Sequence, residues 1–249
     1  MSLSVKDISF SYGRGEVLKD ISFHSRPGEC LAILGSNGVG KSTLLKCLLG
    51  LLKPTRGQII IGDQDLTSLE ARQLAQLMAY VPQQVEFGEG SVFEAVMLGR
   101  RPFVSWRTDE TDQSKVEEIL ESLNLSHLAF QSVNHLSGGE KQQVAIARAL
   151  AQEPKIILFD EPTSSLDIKN QVAWAELMQQ IIREKNISVI VTLHDINLAL
   201  RLANRFIMLE NGRIFAQGKE DIVCSENIAA VYGIETTVCQ VDGRQVVII

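Results

Sequence analysis

The chain of 249 residues is 45% hydrophobic and 22% charged, ordinary proportions for one large or two small globular domains that build a core without disulfide or metal staples. Its formal net charge of −6 argues against a nucleic-acid partner, because phosphate neutralisation by Lys and Arg supplies most of that affinity. The four cysteines, Cys30, Cys47, Cys224 and Cys239, are scattered and form no Cys-x-x-Cys pair, so small buried thiols in a reducing compartment are expected rather than a zinc site.

The opening residues, Met1 to Asp7, lack the charged-then-apolar pattern of a signal peptide. Leu3, Val5, Ile8 and Phe10 roughly alternate with polar residues, as do Val17, Leu18, Ile21 and Phe23, which makes the first third β-rich up to a Pro27-Gly28 turn. Cys30 to Leu34 is a short apolar run that predicts a buried strand, and Gln58 to Ile61 predicts another before Gly62-Asp63. The apolar run from Leu44 to Leu52 is interrupted by Lys46 and is too short to span a bilayer, so the chain is expected to be cytoplasmic. Ser114 to Leu123 predicts an amphipathic helix with Val116, Ile119, Leu120 and Leu123 on one face. Before it lies an irregular stretch, Gly99 to Arg107, rich in Arg and aromatics.

After Pro154, strands and helices alternate. Ile156 to Phe159 and Ser188 to Leu193 predict buried strands. Trp174, Leu177, Met178, Ile181 and Ile182 fall at helical spacing, and Ile196 to Ala203 predicts a second helix. Asn211-Gly212 is a strong hairpin turn, and Asp242-Gly243 marks another near the end. This order predicts an α/β fold with a largely parallel sheet.

Gly35-Ser36-Asn37-Gly38-Val39-Gly40-Lys41-Ser42-Thr43 fills every fixed position of a phosphate-binding loop between a strand and a helix. Glycines let backbone N–H groups converge on phosphate oxygens, and the helix start adds a positive end. Lys41 would reach the β- and γ-phosphates of ATP, and the Ser42 hydroxyl would help hold Mg²⁺. Asp160 and Glu161 end an apolar strand. With a complete phosphate loop upstream, Asp160 is expected to hold Mg²⁺ and Glu161 to position or deprotonate the attacking water.

With these motifs, Leu136-Ser137-Gly138-Gly139-Glu140 makes the whole chain resemble the ATP-binding cassette (ABC) ATPases. The resemblance implies a P-loop NTPase (RecA-like) core, an N-terminal antiparallel β subdomain and an inserted α-helical subdomain. It implies one domain over 1–249, with core and β subdomain in 1–82 and 155–249 and the helical signature subdomain in 83–154. Tyr12 sits where that family stacks an aromatic on adenine, though a half-buried strand tyrosine is the alternative. Gln83, with Gln84 as a fallback, matches the glutamine that contacts Mg²⁺ or the attacking water. Ser164 to Asp167 matches the D-loop, with Asp167 at the nucleotide, and His194 matches the switch histidine. The pentapeptide matches the signature, where most relatives carry Gln in place of Glu140. His24, His127 and His135 match nothing.

In that family Ser137 and its glycines complete the ATP site of a second copy, so the resemblance implies a head-to-tail homodimer sandwiching two ATP molecules. Val96 to Trp106 and Ser225 to Gly233 look like segments of importer ATPases for iron–siderophore, haem and cobalamin. Such subunits work with a separate membrane permease and a substrate-binding protein, on the inner face of the membrane. For the Arg-rich stretch a solvated surface loop is the other reading. For the chain as a whole, a soluble non-transport ABC ATPase, for example of the iron–sulfur assembly type, remains the alternative.

Overall fold

The computed structural model of the protein describes residues 1–13, 15–104, 109–164 and 166–249. The first part is a hairpin, β1 (Leu3–Tyr12) and β2 (Gly15–Ser25), followed by β3 (Cys30–Leu34), α1 (Lys41–Leu48), β4 (Arg56–Ile61) and β5 (Gln64–Asp65). Next come α2 (Ala71–Leu77), β6 (Met78–Val81), α3 (Val92–Met97), α4 (Glu110–Ser122) and α5 (Gly138–Ala151). The chain continues with β7 (Ile156–Asp160), α6 (Ile168–Lys185), β8 (Ser188–Thr192), α7 (Ile196–Leu202), β9 (Arg205–Glu210) and β10 (Arg213–Gly218). It ends in α8 (Ser225–Tyr232) and the hairpin β11 (Thr237–Val241) and β12 (Arg244–Ile248).

The central sheet has the order β10-β9-β3-β8-β7-β6 and is parallel from β9 to β6, with β10 added antiparallel at the edge. Its inner strands β3, β7 and β8 are buried at every position because both faces are covered, and their polar residues, Asp160, Ser188 and Thr192, stand only at strand ends. Alternate residues feed two cores. Ala32, Leu34, Ile157, Phe159, Val189 and Val191 face one core, shared with α3 to α8. Leu31, Ile33, Ile156, Leu158 and Ile190 face the other, shared with α1 and the antiparallel sheet β2-β1-β4-β5. Among the described residues, the stretch between β6 and β7 contains helices and loops but no named strand, and no helix is long and apolar enough to cross a membrane.

The Arg-rich stretch is not a solvated loop along its described part. Arg100 is 3% exposed, and its guanidinium donates to Asp112 of α4 at 2.8 Å and to the Ala151 carbonyl of α5 at 2.7 Å. It also donates to Glu153 at 2.9 Å and packs 4.3 Å from the Phe103 ring centroid. A buried arginine holding three hydrogen bonds is costly to strip of partners, so Arg100 fixes how α4 meets α5. From the other side, Arg72 of α2 donates to the carbonyls of Pro102 (2.8 Å), Phe103 and Val104. Ser105, Trp106 and Arg107 lie outside the described residues.

The cysteine expectation holds for two of the four. Cys30 and Cys47 are buried, and burial pushes both thiols up, Cys47 to about 11. Cys224 and Cys239 are only half-buried.

Candidate functional site

Four neighbouring strands of the central sheet deliver the chemistry at their carboxyl ends, where ligand crevices of open α/β sheets form. β3 runs into the glycine loop, β7 into Asp160-Glu161, β8 into His194, and β6 into Gln83. The loop owes its path to its glycines. Gly35 has φ +147°, and a Cβ there would come 2.6 Å from the Leu209 carbonyl oxygen. Gly40 precedes α1 with φ +108°, and a Cβ there would press to 2.9 Å on Leu18. Ser36, Asn37 and Gly38 form the exposed crest of the loop, while Val39 is turned into the core beneath it.

Lys41 is 4% exposed, and its ammonium donates to the carbonyls of Gly35 (2.7 Å) and Ser36 (3.1 Å). Burial lowers its pKa, opposed by the nearby Glu161 and Asp160 carboxylates. Ser42 donates to Asp160 Oδ1 at 3.0 Å, and Thr43 is half-buried one residue further on. Asp160 is itself 5% exposed and takes a second hydrogen bond from Thr192 at 2.9 Å and a longer one from Tyr80 at 3.4 Å. Burial, then the Asp160 charge and hydrogen bond, push the Tyr80 phenol up to about 12. Hard oxygen donors on Ser42 and Asp160, side by side, fit a Mg²⁺ ion.

Glu161 stands one residue beyond the strand with φ +46°, a left-handed conformation uncommon for a residue with a side chain. Its N–H donates to Thr192 Oγ1 at 2.9 Å. Its Oε2 accepts from Gln83 Nε2 at 2.9 Å and lies 2.5 Å from His194 Nε2. Gln83, Glu161 and His194 therefore converge on one carboxylate oxygen, although 111 residue numbers separate the first from the last.

The remaining motif residues lie apart from this cluster. Tyr12 is 53% exposed at the end of β1, edge-on to Phe10 with ring centroids 4.8 Å apart, rather than half-buried. Ser137 caps α5, with Gly138 and Gly139 in its first turn and Leu136 buried beneath. Its hydroxyl and N–H donate to Glu140 Oε2 at 2.6 and 2.8 Å, a closed capping box. Asp167 caps α6 by accepting the Asn170 N–H at 2.8 Å. Ser165 of the expected D-loop lies outside the described residues. No hydrogen bond or ion pair among the described residues joins the signature segment to the phosphate loop of the same chain.

Thr192 and Tyr80, two and three residues before His194 and Gln83, have no expected role in the sequence, yet both hold Asp160. Thr192 is reachable only through strand register, where it pairs with Asp160 across β7 and β8. Tyr80 pairs with Leu158, two residues before Asp160, across β6 and β7.

Comparisons with known proteins agree with this geometry. The ABC transporter family model matches residues 18–164. An uncharacterized ABC transporter ATP-binding protein of Methanocaldococcus jannaschii is 46% identical over 100% of this chain and 98% of its own. The hemin import ATP-binding protein HmuV of Pseudomonas aeruginosa is 40% identical, over 95% of this chain and 94% of its own. Among solved structures, the inward-facing conformation of a transporter assigned to the metal-chelate type superposes with a TM-score of 0.86. That chain is 32% identical, with 99% of this chain and 95% of that one covered. A phosphate loop, an acidic pair at a strand end and a self-capped signature helix, in a chain matched over its full length, make this protein a member of the ABC family: an ATP-binding, ATP-hydrolysing subunit of an ABC transporter.

Proposed function

We propose that the chain is one of two identical nucleotide-binding subunits that drive import of a metal chelate, such as an iron–siderophore complex, haem or cobalamin, through a separate membrane permease. The observation that carries the substrate class is the full-length likeness to a hemin import subunit and to a metal-chelate type transporter. A cleft of about 720 Å³ beside β6 supports the permease contact. Leu49, Leu51, Leu52, Leu66 and Leu74 line it, and Leu51 is 66% exposed. An apolar cleft of this size suits a short amphipathic helix offered by the permease at the inner membrane face. A substrate-binding protein would deliver the chelate on the other side.

In this reading residues 83–154 form a helical unit that moves against the core of 1–82 and 155–249. Tyr12 stacks on adenine, and the loop from Gly35 to Thr43 wraps the phosphates. Lys41 exchanges its two carbonyl partners for the β- and γ-phosphates. Ser42 and Asp160, together with Gln83, would hold Mg²⁺, which when bound would supply charge neutralisation on the phosphate oxygens. Glu161 takes a proton from water as its oxygen attacks the γ-phosphorus, and the bond to the ADP oxygen breaks. His194 and Gln83 keep the carboxylate aimed. Ser137, Gly138 and Gly139 of one copy, with Asp167 nearby, close over the γ-phosphate held by the other.

Co-expression with a multi-span permease of a metal-chelate system tests the role. The expected outcome is co-purification of the two and ATP turnover that responds to the loaded binding protein. Pairing with soluble partners alone would end the importer reading.

A further inference from the structure

We propose that Tyr232 is a positioning residue for the phosphate loop. Its hydroxyl oxygen accepts the Gly35 N–H at 2.9 Å, a contact spanning 197 residues of sequence. Gly35 is buried and lies just past the ladders that pair β3 with β8 and β9. Without the phenol, its N–H would be a buried donor stripped of a partner, which costs more than an ordinary hydrogen bond is worth. The carbonyl of the same residue accepts the Lys41 ammonium at 2.7 Å. Gly35 is thus gripped on both sides, by a phenol from α8 and by a cation from α1. If Lys41 turns toward phosphate, as the proposed function requires and on which this inference rests, Tyr232 is the grip that stays.

The phenol is well fixed for the task. Ile228 and Val231 of α8 are buried in the larger core, and Gly233 ends the helix immediately after Tyr232 with φ +69°. Beyond it, the β11–β12 hairpin is fastened to α7 by Asn197. That amide donates to the Val247 carbonyl at 2.9 Å and accepts the Val247 N–H at 2.8 Å. Gln245 also donates to the Val223 carbonyl, just before α8. α7 begins directly behind His194 with Asp195 as its cap. Residues 225–249 therefore form a strut from the first residue of the phosphate loop to the helix behind the switch histidine. All of it lies outside the 18–164 stretch that the family model matches.

Tyr232→Phe in the full-length protein keeps the ring and its packing and removes only the acceptor. The expected result is a rise of about 3- to 10-fold in the Kd for ADP and in the KM for ATP, the change that one net hydrogen bond supports, with kcat within about twofold. The Gly35 amide should be protected from hydrogen exchange in the nucleotide-free wild type and lose that protection in the variant. An unchanged ADP affinity in Tyr232→Phe, beside lost binding in Lys41→Ala, overturns the role of Tyr232 and leaves the phosphate-loop reading intact. Wild-type binding in both variants overturns the two together. A Gly35 amide that exchanges freely in the wild type overturns the proposal whether or not the variant folds.

Discussion

Two helices of this chain start at glycine-rich turns, and they are finished in opposite ways. α1 follows Gly40 in a left-handed conformation, with no side-chain cap, no acidic residue in its first turn and Lys41 as its first residue. Its first-turn N–H donors and positive end are left for an anion from outside. α5 follows Ser137 in an extended conformation and supplies its own anion, since Glu140 takes both the Ser137 hydroxyl and the Ser137 N–H. The first start needs a ligand. The second already carries a capped N–H and a carboxylate of its own, and Ser137 changes partner only when something better than Glu140 arrives. Under the proposed pairing, α1 binds ATP and α5 responds to ATP bound by another copy.

The strongest way to probe this contrast is to hold both starts in use. Glu161→Gln should keep nucleotide binding, cut ATP turnover by about 10²–10⁴-fold, and run as a dimer with ATP in size exclusion. Persistence as a monomer at high protein concentration would remove α5 from ATP recognition altogether. A smaller effect is expected from Ser137→Ala. It should leave ADP affinity of the single chain within about twofold, yet weaken ATP-dependent pairing of the Glu161→Gln protein about tenfold, as loss of a charge-assisted hydrogen bond predicts. Equal losses in both measurements would erase the distinction between the two starts.

Glu140→Gln should give the smallest change. Gln can still close the capping box, but the negative charge facing an incoming phosphate is gone. Pairing should tighten about 2- to 5-fold at low salt and less as salt screens the charge, read by sedimentation. The same variant carries a pH signature. Hydrogen bonds from the Ser137 side chain, and then its backbone, hold the Glu140 carboxyl below the usual glutamate range. A depressed folded pKa means that the stabilisation is complete above the ordinary carboxylate range and is lost as pH falls through the lowered value. Glu140→Gln should remove that part of the acid limb in a thermal-midpoint profile, and an unchanged limb would show that the carboxylate contributes nothing there.

Legibility in the sequence follows the distance over which each feature is written. The phosphate loop is readable because nine consecutive residues dictate their own backbone path. Asp160 and Glu161 are readable because an apolar strand has to end somewhere, and an acidic pair there is unusual. The hairpin turns at Asn211-Gly212 and Asp242-Gly243 are likewise local, and both hairpins are present. The predicted helix at 114–123 is found within one that begins at Glu110, where Asp109 caps it, and ends at Ser122, with Leu123 as its C-cap. Less visible are α2, β6 and α3, which are too short to show a period, although α3 carries a Ser91–Glu94 capping box of the same kind as Ser137–Glu140. Thr192 and Tyr80 acquire their role only when strand order and register bring them to Asp160. Tyr232 is hidden most deeply, because nothing near it in sequence hints at a glycine 197 positions away.

The left-handed backbone of Glu161 sets folding against chemistry at a single position. A non-glycine residue held in such a conformation costs roughly 1–3 kcal/mol, and the surrounding sheet has to overrule that preference. Glycine would fit the turn with less strain but would remove the side chain that, under the proposed function, takes a proton from water. Selection for turnover and selection for stability therefore favour different residues at 161, and glutamate there marks which of the two this protein has answered to.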